Sequence, residues 1–326
     1  MATPPTVAIA CQGGGSHAAF AAGALSALLA PEHRSRYRLV GLSGTSGGAM
    51  CAALAWSGLL CGGPGEAQRR LAVFWRDLQA RDGVDAALNA WGVWLALLPL
   101  AGEVSPYLYE PIAEPRLREL LRQHLDLDAL PSEVRRRGDP KLLVGATDIV
   151  SGLGVAFPGE TLTYDELIAS AAIPPLFRAV AARGTLFWDG LFTRNPPIRE
   201  LTNLPERPDE IWVLQLDPQR REREPRAMPE IVDRRNELSG NLALGQELHF
   251  VEKINELLGK HPELGARYKR IDIRVVELGL MLDYTSKFDR SAALIERLLQ
   301  HGLERAAWFF DDRSRWPWPT ATPAAA

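Results

Sequence analysis

The sequence predicts an α/β fold with a mainly parallel central sheet and helices on its faces. A short apolar run at residues 7–10 ends in three glycines and is followed by an alanine-rich helical pattern at 16–30. A second apolar run at residues 38–42 ends at Gly44 and again precedes a helical pattern of small residues. Two successive strand–loop–helix units of this kind are typical of parallel sheets covered by helices.

Length and composition agree with one large domain of this class. The chain has 326 residues, of which 46% are hydrophobic and 24% charged, as in ordinary globular proteins. A net charge of −3 indicates no nucleic-acid partner. The three cysteines lack metal-ligand spacing and no calcium loop is visible, so we expect reduced thiols, no metal and no cofactor.

The remainder of the chain continues the mixture of strands and helices. Strand-like apolar runs occur at residues 142–146, 155–157, 186–188, 211–216 and 271–275. The clearest buried strand is 211–216, and 271–275 alternates as an edge strand does. Helical periodicity occurs at residues 66–81, around 117–121, at 229–258 and at 291–310.

The segment Gly44-Thr45-Ser46-Gly47-Gly48 has the G-x-S-x-G spacing of a nucleophile elbow. Flanking glycines let the strand and the helix pack closely, so the serine at the turn projects beyond the end of the strand. The N–H of Gly47 and the positive end of the following helix can then hold an oxyanion. A structural glycine turn has the same spacing, but the position between strand and helix favours Ser46 as a nucleophile.

A second glycine-rich turn, Gly13-Gly14-Gly15-Ser16, lies between the first predicted strand and helix. Glycines at such a turn can aim several N–H groups at one anion. The turn fits a phosphate cradle, an oxyanion hole or a plain tight turn. Because it lacks the G-x-G-x-x-G spacing and a Walker lysine, an oxyanion hole made by these three glycines and Gly47 is favoured.

Asp189 is the candidate base for Ser46. None of the six histidines follows a predicted strand as a hydrolase triad requires; they are His17, His33, His124, His249, His261 and His301. Asp189 instead ends the strand at 186–188 and precedes Gly190. A carboxylate there can take the serine proton directly or through water, and burial beside Trp188 would raise its pKa.

Four blocks together resemble the patatin-like phospholipase family. In order, they are the glycine turn at 13–15, the elbow at 44–48, Ala169-Ser170-Ala171-Ala172-Ile173-Pro174-Pro175 and Asp189-Gly190. The resemblance implies a three-layer α/β/α sandwich and a Ser46–Asp189 dyad without a catalytic histidine. It further implies acyl-ester hydrolysis on lipids, of the phospholipase A or lysophospholipase type. Residues 233–238 resemble a bacterial branch of the family.

The resemblance also implies a domain organisation. One acyl hydrolase domain is expected over residues 1–312, with core motifs at 7–200 and a C-terminal helical extension at 228–312. Residues 313–326 form a tail rich in Trp, Pro and Ala.

The sequence departs from the family pattern beside both motifs. The family usually has a basic residue and a glycine after its oxyanion glycines, where His17 and Ala18 stand here. His17 can replace the missing charge only when it is protonated. Leu191 follows Asp-Gly where the family commonly has Gly or Ala, and a larger side chain there can narrow the pocket or shift the turn.

These departures keep alternatives open. A thioesterase, or a hydrolase of short-chain or hydroxyalkanoate esters, would use the same dyad on another acyl group. A non-catalytic binding protein on a decayed hydrolase scaffold would also fit the altered positions.

Residues 86–101 form the most apolar stretch of the chain. They are too few for the roughly 20 residues that a membrane-spanning helix needs, and the first residues lack the basic segment of a signal peptide. The stretch fits a buried helix over the sheet, or a flap that docks on lipid or lines the acyl channel. Trp91, Trp94 and Pro174 are the candidate substrate-binding residues. We expect a cytoplasmic chain with a lipid or acyl-ester substrate and peripheral membrane contact.

Overall fold

The computed structural model describes residues 3–83, 85–87, 89–90, 93, 105–108, 113–130, 140–174, 176–221 and 223–311. Within this part of the chain, the strands form one eight-stranded sheet. Strands β1 to β8 are Thr6–Cys11, Arg38–Thr45, Lys141–Asp148, Gly154–Pro158, Val180–Ala182, Thr185–Asp189, Glu210–Gln215 and Asp272–Glu277.

The strand order is β5-β6-β3-β2-β1-β7-β8, and β4 pairs with β3 outside this path. Strands β3, β2, β1, β7 and β8 run parallel, whereas β4 and β6 are antiparallel to β3 and β5 is antiparallel to β6. The predicted mainly parallel sheet is therefore confirmed. The predicted edge strand at 271–275 is confirmed as well, because β8 ends the order. Strand β5 was not predicted, since three residues are too few to show a period.

Helices follow the strands as predicted. Helices α1 to α9 are Ala19–Leu28, Pro31–Arg34, Gly47–Gly62, Pro64–Leu78, Ala113–Leu125, Tyr164–Ser170, Arg199–Thr202, Met228–Lys260 and Ala292–Asp311. The first predicted helix differs at its start, where Gly15–Ala18 forms a separate 3₁₀ turn. Gly15 has φ +56°, and this left-handed backbone cannot belong to a regular right-handed helix.

Alternate residues of β1 face two different helical layers. Val7, Ile9 and Cys11 belong to a buried cluster that includes side chains of α1, α3, α4 and α9. Ala8 and Ala10 belong to a second cluster that includes side chains of α8. Because side chains alternate across a strand, the two clusters lie on opposite faces of the sheet. The three-layer α/β/α sandwich is thereby confirmed.

Helix α9 packs against α1 with direct backbone contact. A Cβ added at Gly302 of α9 would overlap the carbonyl oxygen of Phe20 in α1. A Cβ added at Gly23 of α1 would overlap the carbonyl oxygen of Leu299 in α9. Both helices therefore need a glycine at their contact, and the C-terminal segment forms part of the same core face as α1.

Several predictions fall outside the part of the chain that the structure describes. Trp91, Trp94 and the tail at 313–326 are among those residues, so the flap and tail stay predictions, as does the boundary of the domain. Within the described residues, no helix has the length and apolarity needed to cross a bilayer.

We expect Gly302→Ala to lower the free energy of unfolding by about 1–3 kcal/mol, since the methyl group forces α1 and α9 apart. The loss should appear even though alanine favours a helix by about 1 kcal/mol over glycine. Urea unfolding followed by circular dichroism measures it. Gly259→Ala near the end of α8 is the matched control, because its added Cβ meets no atom within 4 Å. An unchanged or higher midpoint for Gly302→Ala would contradict the close contact.

Candidate active site

Ser46 occupies the turn between the end of β2 and the start of α3. Its backbone has φ 55° and ψ −129°, a combination that is costly for a residue with a side chain. Its carbonyl oxygen accepts hydrogen bonds from the N–H groups of Ala49 (2.9 Å) and Met50 (3.1 Å). A Cβ at Gly48 would overlap the carbonyl oxygen of Cys11 in β1. The close packing of strand and helix predicted for the elbow is therefore present.

Ser170, the last residue of α6, connects the elbow to β3. Its Oγ accepts a hydrogen bond from the backbone N–H of Ser46 (3.0 Å) and donates one to the carbonyl oxygen of Gly145 (2.6 Å). Ser170 is fully buried, so these two bonds satisfy the hydroxyl and hold the strained turn on the sheet. The sequence placed Ser170 in a family block but gave no signal of this contact.

Strand β3 brings Asp189 beside Ser46. Thr45 at the end of β2 pairs with Gly145 of β3, and the next residue, Ala146, pairs with Asp189 at the end of β6. The side chain of Ser46 lies near enough to the carboxylate of Asp189 to lower its pKa. The two residues predicted as nucleophile and base therefore lie close together.

Burial sets the protonation of Asp189. The side chain is 2% exposed, and this desolvation raises the pKa of Asp189 to about 7. The hydrogen bond from the Leu191 N–H (2.8 Å) opposes the rise, as do the nearby Ser46 hydroxyl and the charge of Lys287. A carboxylate whose pKa lies near neutrality is a far better proton acceptor than an exposed one.

The four glycines predicted to form the oxyanion hole lie in different surroundings. Gly15 and Gly47 line the same cavity as Ser46. Gly14 precedes the 3₁₀ turn and packs toward Leu216. The N–H of Gly13 donates to Asn195 Oδ1 (2.8 Å), so this N–H is already used and is not open to an oxyanion. Asn195 thus holds the glycine turn in place, a role that the sequence did not reveal.

His17 does not supply the missing positive charge. Its side chain is 3% exposed, and Nε2 lies 2.7 Å from Ser286 Oγ. Burial first, and then the charge of Lys287, lowers the pKa of His17 to about 3. The imidazole is therefore neutral at physiological pH, which removes the one condition under which it could stand in for an arginine or lysine.

Lys287 is the cation next to the glycine turn. It lines the cavity of Ser46, and its carbonyl oxygen lies where a Cβ on Gly15 would be. Its Nζ is 2.6 Å from Asp217 Oδ1, and both side chains of this ion pair are mostly buried. Because Lys287 lies far along the chain from the motifs and in no recognisable pattern, sequence reasoning missed it.

The cavity in front of Ser46 is mostly apolar and measures about 390 Å³. Its apolar wall consists of Met50, Phe74, Trp75, Leu78, Ala113, Leu117, Ala171, Ile173, Leu176, Phe177 and Phe288. Pro174, predicted to bind substrate, is not one of the lining residues, although its neighbour Ile173 is. Leu191 is also absent from the lining, because its side chain points toward Gly240 of α8.

A larger cavity of about 810 Å³ lies between residues 215–230 and 277–281. Neither Ser46 nor Asp189 lines it, so it is separate from the elbow. Among the described residues, no group of three or more His, Cys, Asp or Glu side chains is placed to hold a metal ion.

A comparison with protein families agrees with these motifs. The family described as patatin-like phospholipase matches residues 9–202, more than half of the chain. VipD from Legionella pneumophila is 13% identical with a TM-score of 0.48, covering 95% of this chain and 67% of VipD. ExoU from Pseudomonas aeruginosa, in its heterodimeric complex with SpcU, is 16% identical with a TM-score of 0.36. That alignment covers 94% of this chain and 53% of ExoU, so this chain spans about half the length of ExoU. Comparison with curated proteins gave no match.

We expect Asp189→Asn to raise the free energy of unfolding at alkaline pH. The pKa of Asp189 is about 7 in the folded protein against 3.8 for an unperturbed aspartate. The full free energy of unfolding is therefore present below pH 3.8, and part of it is lost as pH rises through about 7, because burial disfavours the ionised carboxylate. A neutral amide avoids the loss, so the gain should be about 1–3 kcal/mol at pH 8 and shrink toward zero at pH 4.

Urea unfolding at these two pH values measures the effect. Asp128→Asn, at an exposed aspartate, is the matched control and should change neither value. An Asp189→Asn protein that is less stable than the wild type at pH 8 would contradict the unfavourable burial of the charge.

Proposed function

Because the chain belongs to the patatin-like phospholipase family, we propose that it is a serine acyl hydrolase that cleaves carboxylic esters of lipids. The activity would be of the phospholipase A or lysophospholipase type. The observation that carries the proposal is the proximity of Ser46, on a strained elbow, to the buried carboxylate of Asp189. Such a pair is the arrangement that activates a serine without a histidine.

In the first step, Asp189 accepts the proton of the Ser46 hydroxyl as Oγ attacks the ester carbonyl carbon. The carbonyl oxygen becomes an oxyanion, which the N–H groups of Gly14, Gly15 and Gly47 would stabilise. When the tetrahedral intermediate collapses, the ester C–O bond breaks and the leaving alkoxide takes the proton from Asp189. Ser46 is left as an acyl ester.

In the second step, Asp189 takes a proton from a water molecule that attacks the acyl-enzyme. Collapse of this intermediate breaks the bond to Ser46 Oγ, which regains the proton from Asp189, and the carboxylic acid leaves. Each step requires an ionised Asp189 at its start, so the charge of Lys287 supports the reaction by lowering the pKa of Asp189.

The shape of the cavity supports a lipid substrate. Its volume of about 390 Å³ and mainly apolar wall suit an acyl chain whose ester group reaches Ser46. Turnover of phospholipid, acylglycerol, acyl-CoA and hydroxyalkanoate oligomers should be compared directly. We expect the glycerolipid esters to be preferred, whereas a preference for acyl-CoA or for the oligomers would contradict the proposed substrate class.

We expect Ser46→Ala and Asp189→Asn each to lower kcat/KM for a p-nitrophenyl ester by at least about 10³-fold, because the pair acts as a unit. Ser46→Ala should also abolish labelling by a fluorophosphonate probe, measured by mass spectrometry of the intact protein. Ser57→Ala, in α3 but outside the lining of the cavity, is the control and should keep both. Folded wild-type protein that is never labelled would indicate a non-catalytic binding protein.

The pH dependence of kcat/KM provides an independent test. Activity should rise as pH increases through about 7, since Asp189 must be deprotonated to act as a base. Lys287→Met removes a charge that lowers the pKa of Asp189, so the rise should move to higher pH. Lys253→Met, at an exposed ion pair on α8, should leave the profile unchanged. A wild-type midpoint retained in Lys287→Met would exclude Lys287 from the electrostatics of the site.

A further inference from the structure

The wall of the Ser46 cavity carries an uneven set of charges. Among the described residues that line it, the acidic side chain is Asp85 alone, whereas Arg116, Lys287 and Arg290 are basic. Lys287 forms an ion pair with Asp217, which is buried and outside the lining, so this pair adds no net charge. The two arginines share the single carboxylate of Asp85. This trio therefore places a net charge of about +1 on the wall of a mostly apolar cavity.

Asp85 holds the two guanidinium groups side by side. Arg116 donates through both terminal nitrogens, with Nη1 2.7 Å from Asp85 Oδ1. Arg290 donates from Nη2 to the same Oδ1 at 2.7 Å, and its Nη1 also donates to the carbonyl oxygen of Leu78 at 3.1 Å. Burial raises the pKa of Asp85, but the hydrogen bonds from Arg290 and Arg116 outweigh it and leave the pKa below its ordinary value. The carboxylate thus stays ionised and keeps both arginines in place.

The arrangement leaves the positive groups outermost. The Asp85 side chain is 5% exposed, against 22% for Arg290 and 42% for Arg116. A guanidinium has five N–H donors. Within the described residues, Arg116 uses two of them and Arg290 three. Donors therefore remain on two fixed planar groups, a geometry that suits a phosphate group.

The alternative is a purely structural ion-pair latch. Through Arg116 and Arg290, Asp85 joins its own segment to α5 and to the residues just before α9. One arginine with two parallel hydrogen bonds already balances the charge of a carboxylate. The second arginine therefore adds charge beyond what the latch needs. A bound anion would balance this excess positive charge, which faces the cavity of Ser46.

Resting on the proposed function, we propose that Arg116 and Arg290 form a subsite for the phosphate group of the lipid substrate. The acyl chain would lie against the apolar wall while the phosphate accepts hydrogen bonds from both guanidinium groups. The preferred substrate would then be a phosphate-bearing lipid ester, such as a lysophospholipid, and not a neutral acylglycerol.

The test compares two soluble substrates with the same acyl chain, a lysophosphatidic acid and a monoacylglycerol. We expect Arg116→Gln to lower kcat/KM for the lysophosphatidic acid about 10-fold or more, since a charge-assisted pair is lost. Activity on the monoacylglycerol should change less than about twofold. Arg118→Gln is the matched control, because Arg118 lies on the same helix and pairs with Glu114 and Asp165 outside the cavity.

Two results would overturn the subsite. One is an equal loss on both substrates with Arg116→Gln, which would indicate a latch that merely holds the cavity together. The other is an unchanged kcat/KM for both substrates with Arg116→Gln. Arg290→Gln removes a more buried side chain, so its urea unfolding midpoint is measured alongside its activity. Arg116→Lys keeps the positive charge but not the planar guanidinium. It should therefore recover only part of the preference for the lysophosphatidic acid.

A binding experiment separates this subsite from the proposed catalysis. Isothermal titration calorimetry on Ser46→Ala protein would measure dodecyl phosphate and 1-O-dodecylglycerol below their micellar concentrations. We expect dodecyl phosphate to bind more tightly, and Arg116→Gln to remove that advantage. If dodecyl phosphate binds more tightly but the wild-type protein hydrolyses no ester, the proposed function is wrong while the subsite is supported. Equal affinities for the two ligands would overturn the subsite whatever the protein hydrolyses.

Discussion

The pairing of β3 with both β2 and β6 is the constraint on which the site depends. Thr45 and Asp189 pair with consecutive residues of β3, Gly145 and Ala146. A slip of one residue in the β3–β6 register would turn Asp189 to the other face of the sheet, and a slip in the β2–β3 register would displace Ser46. The sheet therefore does more than support the elbow, because its register brings Ser46 and Asp189 together.

The geometry that this register creates is unfavourable in itself and is held by surrounding hydrogen bonds. Ser46 has a strained backbone and Asp189 a buried carboxylate, both of which cost free energy. Ser170 stabilises the turn from the sheet, and the Leu191 N–H stabilises the carboxylate. Strain and desolvation concentrated in this way are typical of sites where reactivity takes precedence over stability.

The positive charges at the cavity come largely from the end of the chain. Lys287 and Arg290 precede α9, and the contact between α9 and α1 fixes this segment beside the glycine turn. His17, at the position where a basic residue is expected, is buried and neutral instead. The C-terminal part of the chain thus contributes electrostatics to the site as well as covering the sheet.

The sequence by itself determined the features that depend on neighbouring residues. Strand and helix periods, the elbow around Ser46 and a carboxylate at a strand end are local patterns. They predicted a parallel sheet covered by helices and identified Ser46 and Asp189 as candidate site residues, while the family resemblance implied the three-layer sandwich. Tertiary structure alone decided that Asn195 uses the N–H of Gly13 and that Lys287 replaces His17 as the nearby cation. Hydrogen bonds and charges act through space, so groups far apart in the chain meet only once the sheet and its helices have packed.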